Sequence, residues 1–324
     1  MNQQDNRESQ LECGKQPPTA GALTPRTGTG YVYSVGSAIA SAMATVVGKW
    51  NLESISAFLM NTLIFSVASI VLIPFALRAG GLRQLVTIPR VGWKWLLLFA
   101  LTSVISVLAF WSGVQRMDPS LAAFLNRAEV PVAIVLGILF LKERLTVWES
   151  IGAVLSVAGI VLMRVNLRVE YTTGFWLVLS GALLFGFAEF CSKQALKTIP
   201  PLLLTSIRNL IMCALYWVIF AAVSREFTWL DKVWPGVLAL GILGPLLTRL
   251  LYLAGLKRMP LSRAAVISQS QPVFVLLLAL LVFGQLPTFR EMVGGILITA
   301  GCTLMVVSQQ RWLGFGNGGG HTSV

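Results

Sequence analysis

From Tyr31 to Gln310 the chain alternates long apolar runs with short polar connections. Charged residues, prolines and glycine pairs stop the runs at 31–49, 54–77, 93–114, 119–141, 148–165, 174–192, 200–223, 234–255, 261–283 and 291–310. A helix rising 1.5 Å per residue needs about 20 residues to cross ~30 Å of hydrocarbon, so each run predicts one membrane-spanning helix. The short connections make successive helices antiparallel neighbours. Trp50, Trp93, Trp95, Trp148, Trp176, Trp229, Trp234 and Trp312 lie near the ends of these runs, where an amphipathic ring prefers the headgroup layer.

The ten runs form two sets of five. At a constant spacing of 142 positions, Gly113 pairs with Gly255, Arg116 with Arg258, Met117 with Met259, Ser120 with Ser262 and Ala122-Ala123 with Ala264-Ala265. The same spacing pairs Thr146 with Thr288, Glu149 with Glu291, Gly152 with Gly294, Ala158-Gly159 with Ala300-Gly301 and Met163 with Met305. An odd number of spans per copy forces the second copy into the bilayer upside down, which predicts an inverted repeat. The expected organisation is a disordered tail over 1–30, a first repeat over 31–165, a second over 172–308 and a second tail over 311–324.

Composition agrees with lipid as the solvent. Of 324 residues, 56% are hydrophobic and 12% charged, and the mean hydropathy is +0.76, far too apolar for a water-soluble domain of this size. The net charge of +12 resides in loops between runs and not on one basic face, which excludes a nucleic-acid partner. Cys13, Cys191, Cys213 and Cys302 are too scattered for a disulfide framework or a zinc site.

Those loop charges set an orientation. The connection after the second run holds Arg78, Arg83, Arg90 and Lys94 without an acid, whereas after the seventh run Arg225 and Lys232 are offset by Glu226 and Asp231. Lys142 and Arg144 become Gly284 and Leu286 in the second copy, while Gln115 and Leu121 become Lys257 and Arg263. The basic member of each pair falls on the side of both tails, which is therefore the cytoplasm. Arg164 and Arg168, partly balanced by Glu170, fall on the other side.

A motif runs through the fourth and fifth segments: Ala122-Ala123, Pro131, Leu141-Lys142-Glu143-Arg144-Leu145-Thr146, Ile151-Gly152-Ala153 and Ala158-Gly159. Pro272, Phe283-Gly284-Gln285, Thr288, Gly294 and Ala300-Gly301 repeat it. This pattern, over about residues 31–308, resembles the drug/metabolite transporter superfamily in its ten-helix form with two EamA-type repeats. Lys142 stands where that family usually has Gly, and Gln285 where it usually has Glu. Arg208 resembles an arginine of the family's second helix type, and the matching part of the second run offers only Met60-Asn61. The resemblance implies an all-α integral membrane protein of ten transmembrane helices in two inverted five-helix repeats. Its expected location is the bacterial inner (plasma) membrane, multi-pass, with both termini cytoplasmic.

Charges inside a span cost on the order of 2.5–3.5 kcal/mol each on insertion scales, so they face protein or a water-filled cavity. Arg127 and Glu129 are near the middle of the fourth run, Glu189 is late in the sixth, Arg208 early in the seventh and Arg249 late in the eighth. Asn126 and Glu129, three apart, share a helical face, whereas Arg127 and Glu129, two apart, are expected to point in nearly opposite directions. At the repeat spacing Asn126, Arg127 and Glu129 become Ser268, Gln269 and Gln271. Pro131 and Pro272 disturb the carbonyls of Arg127 and Ser268, four residues earlier, beside these polar clusters. Discontinuous helices of this kind build transporter sites at midplane.

The expected substrate or coupling set is therefore Asn126, Arg127, Glu129, Ser268, Gln269, Gln271 and Arg208. Gate or structural roles fall to Glu189, Arg249, Pro131 and Pro272. Glu129 either binds solute or a proton, or is the buried partner of Arg208 or Arg249. Lys49 and Lys193 are expected to anchor helix ends, and the glycine faces of the fifth and tenth runs to pack closely, with a homodimer seam as their alternative.

The function expected is secondary transport, by alternating access, of a small polar metabolite such as an amino acid, in the direction of export. A carrier of an anionic solute (organophosphate, nucleotide sugar or lipid-linked phosphate) or of drugs is the alternative. A membrane-embedded transferase is the reading from another class, but no catalytic set is expected: the one histidine is His321 in the tail and no acid pair lies within a run. No metal or cofactor is expected. No Walker-type loop occurs, which argues against ATP hydrolysis. The partners expected are a small-molecule solute and the lipid bilayer.

Overall fold

The structure, a computed structural model, describes residues 27–78, 88–141, 146–166, 169–223, 233–256, 267–284 and 287–316. Of the expected tails over 1–30 and 311–324, residues 27–30 and 311–316 belong to helices, while 1–26 and 317–324 lie outside the described residues. So do the loop residues Arg83, Lys142 to Leu145, Arg168, Arg225, Glu226, Asp231, Lys232, Lys257, Arg258, Arg263, Gln285 and Leu286. The described residues contain helices and no strand.

Helices α1 (Thr27–Asn51), α2 (Ala57–Arg78) and α3 (Arg90–Gln115) are continuous, whereas α4 is two half-helices, Pro119–Asn126 and Glu129–Leu141. Next come α5 (Val147–Asn166), α6 (Thr172–Ala195) and α7 (Pro201–Val223). The eighth span, α8, is three consecutive segments: an α-helix Trp234–Gly241, a π-helix Ile242–Thr248 and an α-helix Arg249–Leu256. Then follow α9 (Gln271–Phe283) and α10 (Phe289–Gly316). Nine segments are long and apolar enough to cross a bilayer, and α9 is a shorter apolar tenth. Helix α10 runs to Gly316, beyond the boundary expected at 310.

The surface is that of a protein dissolved in lipid. Leu281, Val165 and Ile70 are 80%, 75% and 71% exposed, while Asn61, Ser103, Ser156 and Asn209 are fully buried. Apolar side chains turn outward at no cost when the solvent is hydrocarbon, and polar ones turn inward to find partners.

Packing shows the inverted repeat directly. A Cβ on Gly152 would lie 2.6 Å from the carbonyl oxygen of Gly301, and one on Gly159 would lie 2.7 Å from that of Gly294. Gly152 and Gly294 are repeat equivalents, as are Gly159 and Gly301, so the two contacts between α5 and α10 are images of each other under exchange of the halves. Ser156 and Ile298, also 142 positions apart, meet between them: the Ser156 hydroxyl is 3.4 Å from the Ile298 carbonyl oxygen. The pseudo-twofold axis passes at that point. A second pair of images joins α3 to α6 through Gly113 and Gly174, and α8 to α1 through Gly255 and Gly30. The glycine faces of α5 and α10 thus pack on each other within the chain.

The repeated polar residues of the family motif do local work. Thr146 N–H donates to Glu149 Oε2 at 2.7 Å and Thr288 N–H to Glu291 Oε2 at 2.8 Å. These are twin capping boxes that start α5 and α10. Gly284 ends α9 with φ 65°, a left-handed C-cap that costs little without a Cβ. Lys49 ends α1 as expected, but its ammonium turns inward and donates to the carbonyls of Val114, Gln115 and Met117 at 2.8, 3.0 and 3.1 Å. It thereby satisfies acceptors that the end of α3 leaves open.

Candidate functional site

Two polar regions lie inside the bundle. The first is the junction where α4 and α9 break. Arg127 N–H donates to Phe124 O at 3.1 Å and Ala128 N–H to Leu125 O at 3.0 Å, a three-residue tightening that ends the first half-helix. The second half starts at Glu129 and α9 starts at Gln271, positions related by the repeat. Pro131 and Pro272 therefore stand in the first turn of a new helix, where a missing N–H costs nothing, instead of kinking a continuous one.

This break corrects the expectation that Arg127 and Glu129 point apart. That expectation assumed an uninterrupted helix; across the turn, Arg127 Nη1 lies 3.7 Å from Glu129 Oε1. The buried partner of Glu129 is thus Arg127, and not Arg208 or Arg249. Arg127 Nη2 also donates to Gln271 Oε1 at 2.5 Å, joining the two broken helices. The Arg127 carbonyl, which Pro131 cannot serve, accepts from Val130 N–H at 3.0 Å and from the Cys302 thiol at 3.2 Å. Cys302 was not among the sequence candidates, and no motif marks it. Asn126 Oδ1 and Gln269 Oε1 are buried without a hydrogen-bond partner among the described residues. Ser268 directly precedes the turn at Gln269-Ser270 that leads into α9.

The second region is a partly open cavity of about 170 Å3 between α3, α6, α7 and α8, in which Glu189 is exposed and Arg208 and Arg249 are half-buried. Glu189, Arg208 and Arg249 line it together with Ser103, Thr205 and Thr248. None of the three charges forms an ion pair with a described residue, although Glu189 and Arg249 lie within electrostatic range of Arg208. Arg208 is held from one side: its Nε donates to Ser103 Oγ at 3.1 Å and its guanidinium lies 4.9 Å from the Phe99 ring centroid. The π-helical segment of α8 supplies Gly244, Pro245 and Thr248 to the wall. Pro245 removes an N–H there, and Thr248 Oγ1 donates back five residues to Leu243 O at 2.7 Å. Non-helical backbone at membrane depth is tolerated where it lines a cavity. The irregular span that touches this cavity is therefore the eighth and not the fourth or ninth.

None of Asn126, Arg127, Glu129, Pro131, Ser268, Gln269, Gln271 and Pro272 lines the cavity. The two regions are nevertheless neighbours. A Cβ on Gly186 of α6 would lie 2.6 Å from the Glu129 carbonyl oxygen, and the next turn of α6 presents Glu189 to the cavity. Ser103, Phe99, Thr205 and Thr248 escaped the sequence reading. One signal was available, since Ser103 is the repeat equivalent of Pro245. A larger groove of about 640 Å3 beside α9 and α10 is lined by apolar residues such as Val273, Leu276, Ile296 and Leu304, with Thr299 and Thr303. It contains no charge and suits lipid chains.

The sequence profile of the EamA-like transporter family matches twice, over residues 28–165 and 172–307. The chain belongs to that family. It is thus an EamA-like membrane transporter, in line with the drug/metabolite transporter resemblance. An uncharacterized transporter of Synechocystis sp. is 22% identical over 244 residues, covering 71% of this chain and 70% of the relative. An uncharacterized transporter of Archaeoglobus fulgidus is 24% identical over 229 residues, covering 71% of this chain and 79% of the relative. A solved crystal structure superposes with a TM-score of 0.61 at 19% identity, over 88% of this chain and 99% of the other. That similarity places the EamA-like chain in a known fold and says nothing of its substrate.

Proposed function

We propose that this EamA-like protein is a secondary transporter that exports a small polar, charged metabolite such as an amino acid, bound in the cavity between α3, α6, α7 and α8. The observation that carries this reading is the set of Glu189, Arg208 and Arg249 around a small cavity inside the span region without ion pairs among the described residues. Charges left so at membrane depth are expensive unless a solute or water meets them. A carboxylate on the solute fits a guanidinium fork through two parallel hydrogen bonds, and Glu189 offers a contact for an ammonium.

Size bears on the alternatives. Drug-sized ligands occupy pockets of roughly 300–1,000 Å3, which disfavours nucleotide sugars, lipid-linked phosphates and drugs for a cavity of about 170 Å3. A small organophosphate remains the second reading, supported by the two arginines. A transferase has no support from the site.

The loop charges support cytoplasmic termini in a bacterial inner membrane. In that orientation Glu189, Thr205, Arg208 and Arg249 occupy the cytoplasmic half of their spans, as a cavity that loads from inside requires. Reporter fusions should be active in the cytoplasm after Arg90, Arg144 and Arg311 and on the far side after Arg116 and Arg225; a cytoplasmic signal after Arg225 would show the second half threaded the other way. Purified protein in proteoliposomes should catalyse counterflow of at least one labelled small amino acid without ATP. Absence of counterflow across the amino acids, with activity for glycerol phosphate instead, would shift the assignment to the second reading.

A further inference from the structure

The charge count of the cavity narrows the solute beyond the transporter reading, on which this step rests. Arg208 and Arg249 contribute two positive charges and Glu189 one negative charge, while the neighbouring Arg127 and Glu129 pair with each other and sum to zero, with Glu129 within electrostatic range of Glu189. The residues in the wall that carry no charge, Ser103, Thr205 and Thr248, can hydrogen-bond but cannot neutralise. Arg208 cannot leave the cavity to find a counter-charge, because Ser103 and Phe99 fix it from α3.

We infer that the solute is a small α-amino dicarboxylate of net charge −1, with one carboxylate on Arg208, the other on Arg249 and the ammonium on Glu189. A neutral amino acid leaves one guanidinium without a counter-charge. A plain dicarboxylate or phosphate places an anion against Glu189. The amino dicarboxylate alone among these meets all three charged groups, and at about nine or ten heavy atoms it is far smaller than the ligands of drug-sized pockets. Glu189 is therefore the residue that separates amino dicarboxylates from dicarboxylates, and Arg249 together with Arg208 separates them from neutral amino acids.

The experiment is equilibrium binding to the purified full-length protein, with L-aspartate, L-glutamate, L-asparagine, L-alanine, succinate and inorganic phosphate as probes. Aspartate or glutamate should bind at least about 10-fold tighter than asparagine and than succinate, the size expected when one charge contact, about 1.4 kcal/mol, is lost. Glu189→Gln should reverse the order of aspartate and succinate, and Arg249→Met should remove the preference for aspartate over asparagine. Should either variant fail to fold, the ranking on the wild type alone decides. Asparagine or alanine binding as tightly as the acidic amino acids, or succinate or phosphate binding more tightly, overturns the inference. If such a probe wins and its binding still falls on substitution of Arg208 or Arg249, the site stands and only the solute class is wrong. Binding insensitive to Arg208, Arg249 and Glu189 alike overturns both the class and the site.

Discussion

Replacing Arg208 with methionine is expected to reduce counterflow by roughly 30-fold or more while the protein still folds. Truncating one member of a buried, hydrogen-bonded charge contact costs about 2–5 kcal/mol of binding, and each 1.4 kcal/mol is a factor of ten. Methionine keeps most of the volume against the Phe99 ring, and the Ser103 hydroxyl, which loses its donor, can turn to a carbonyl of its own helix. Melting temperature should therefore stay close to wild type. Arg208→Lys is the sharper variant, because an ammonium keeps the charge and loses the planar fork; it should recover only a minor part of the activity. Transport near the wild-type rate in a stable Arg208→Met protein would remove the cavity from the translocation path.

Glu129→Gln should act on stability instead. It removes the counter-charge of Arg127, which is 8% exposed. Breaking a buried pair on one side costs on the order of 3–5 kcal/mol, and the lower end applies here because Gln271 still accepts from the guanidinium. Expression and melting temperature should fall, and the double variant Arg127→Met/Glu129→Gln should restore both. Rescue by Arg208→Met or Arg249→Met, in place of Arg127→Met, would show that the contact at the α4 break is not the one that matters. Loss of transport by Glu129→Gln with unchanged stability would return Glu129 to the solute or coupling role that its depth in the sequence suggested.

The contrast between these two variants marks what could be read from the sequence. Ten spans, their antiparallel order and the inversion of the halves followed from apolar run length and from one repeated spacing, because lipid imposes both on any chain that crosses it. Glycines at 152, 159, 294 and 301 were visible as faces, but not that each face would meet its own repeat image. Arg208 was placed in the binding set and Glu189 and Arg249 at a gate; the structure gathers all three at one cavity. Depth along a helix is legible in a sequence, whereas the direction from which four helices converge is not.

Glu129 looked most central because of its depth in the fourth run, and the two-residue interruption before it changes which side chains it can touch. Pro131 hinted at that break without fixing where it falls. Hydroxyl residues in the wall were hidden for a different reason. Serines and threonines throughout the spans bond to carbonyls of their own helix, as Thr102 does to Leu98 at 2.7 Å and Thr205 to Pro201 at 2.9 Å. A cavity hydroxyl therefore looks like any other in one dimension.

The meeting of Ser156 with Ile298 on the pseudo-twofold axis bears on how such a molecule can move. If the two halves alternate by adopting each other's shape, every distance between non-equivalent places takes a new value at the half-cycle, apart from those that the exchange maps onto themselves. The distance from Ser156 to Ile298 is one of these. Probes attached there should report the same separation in both end states, a still point around which the walls of the cavity swing.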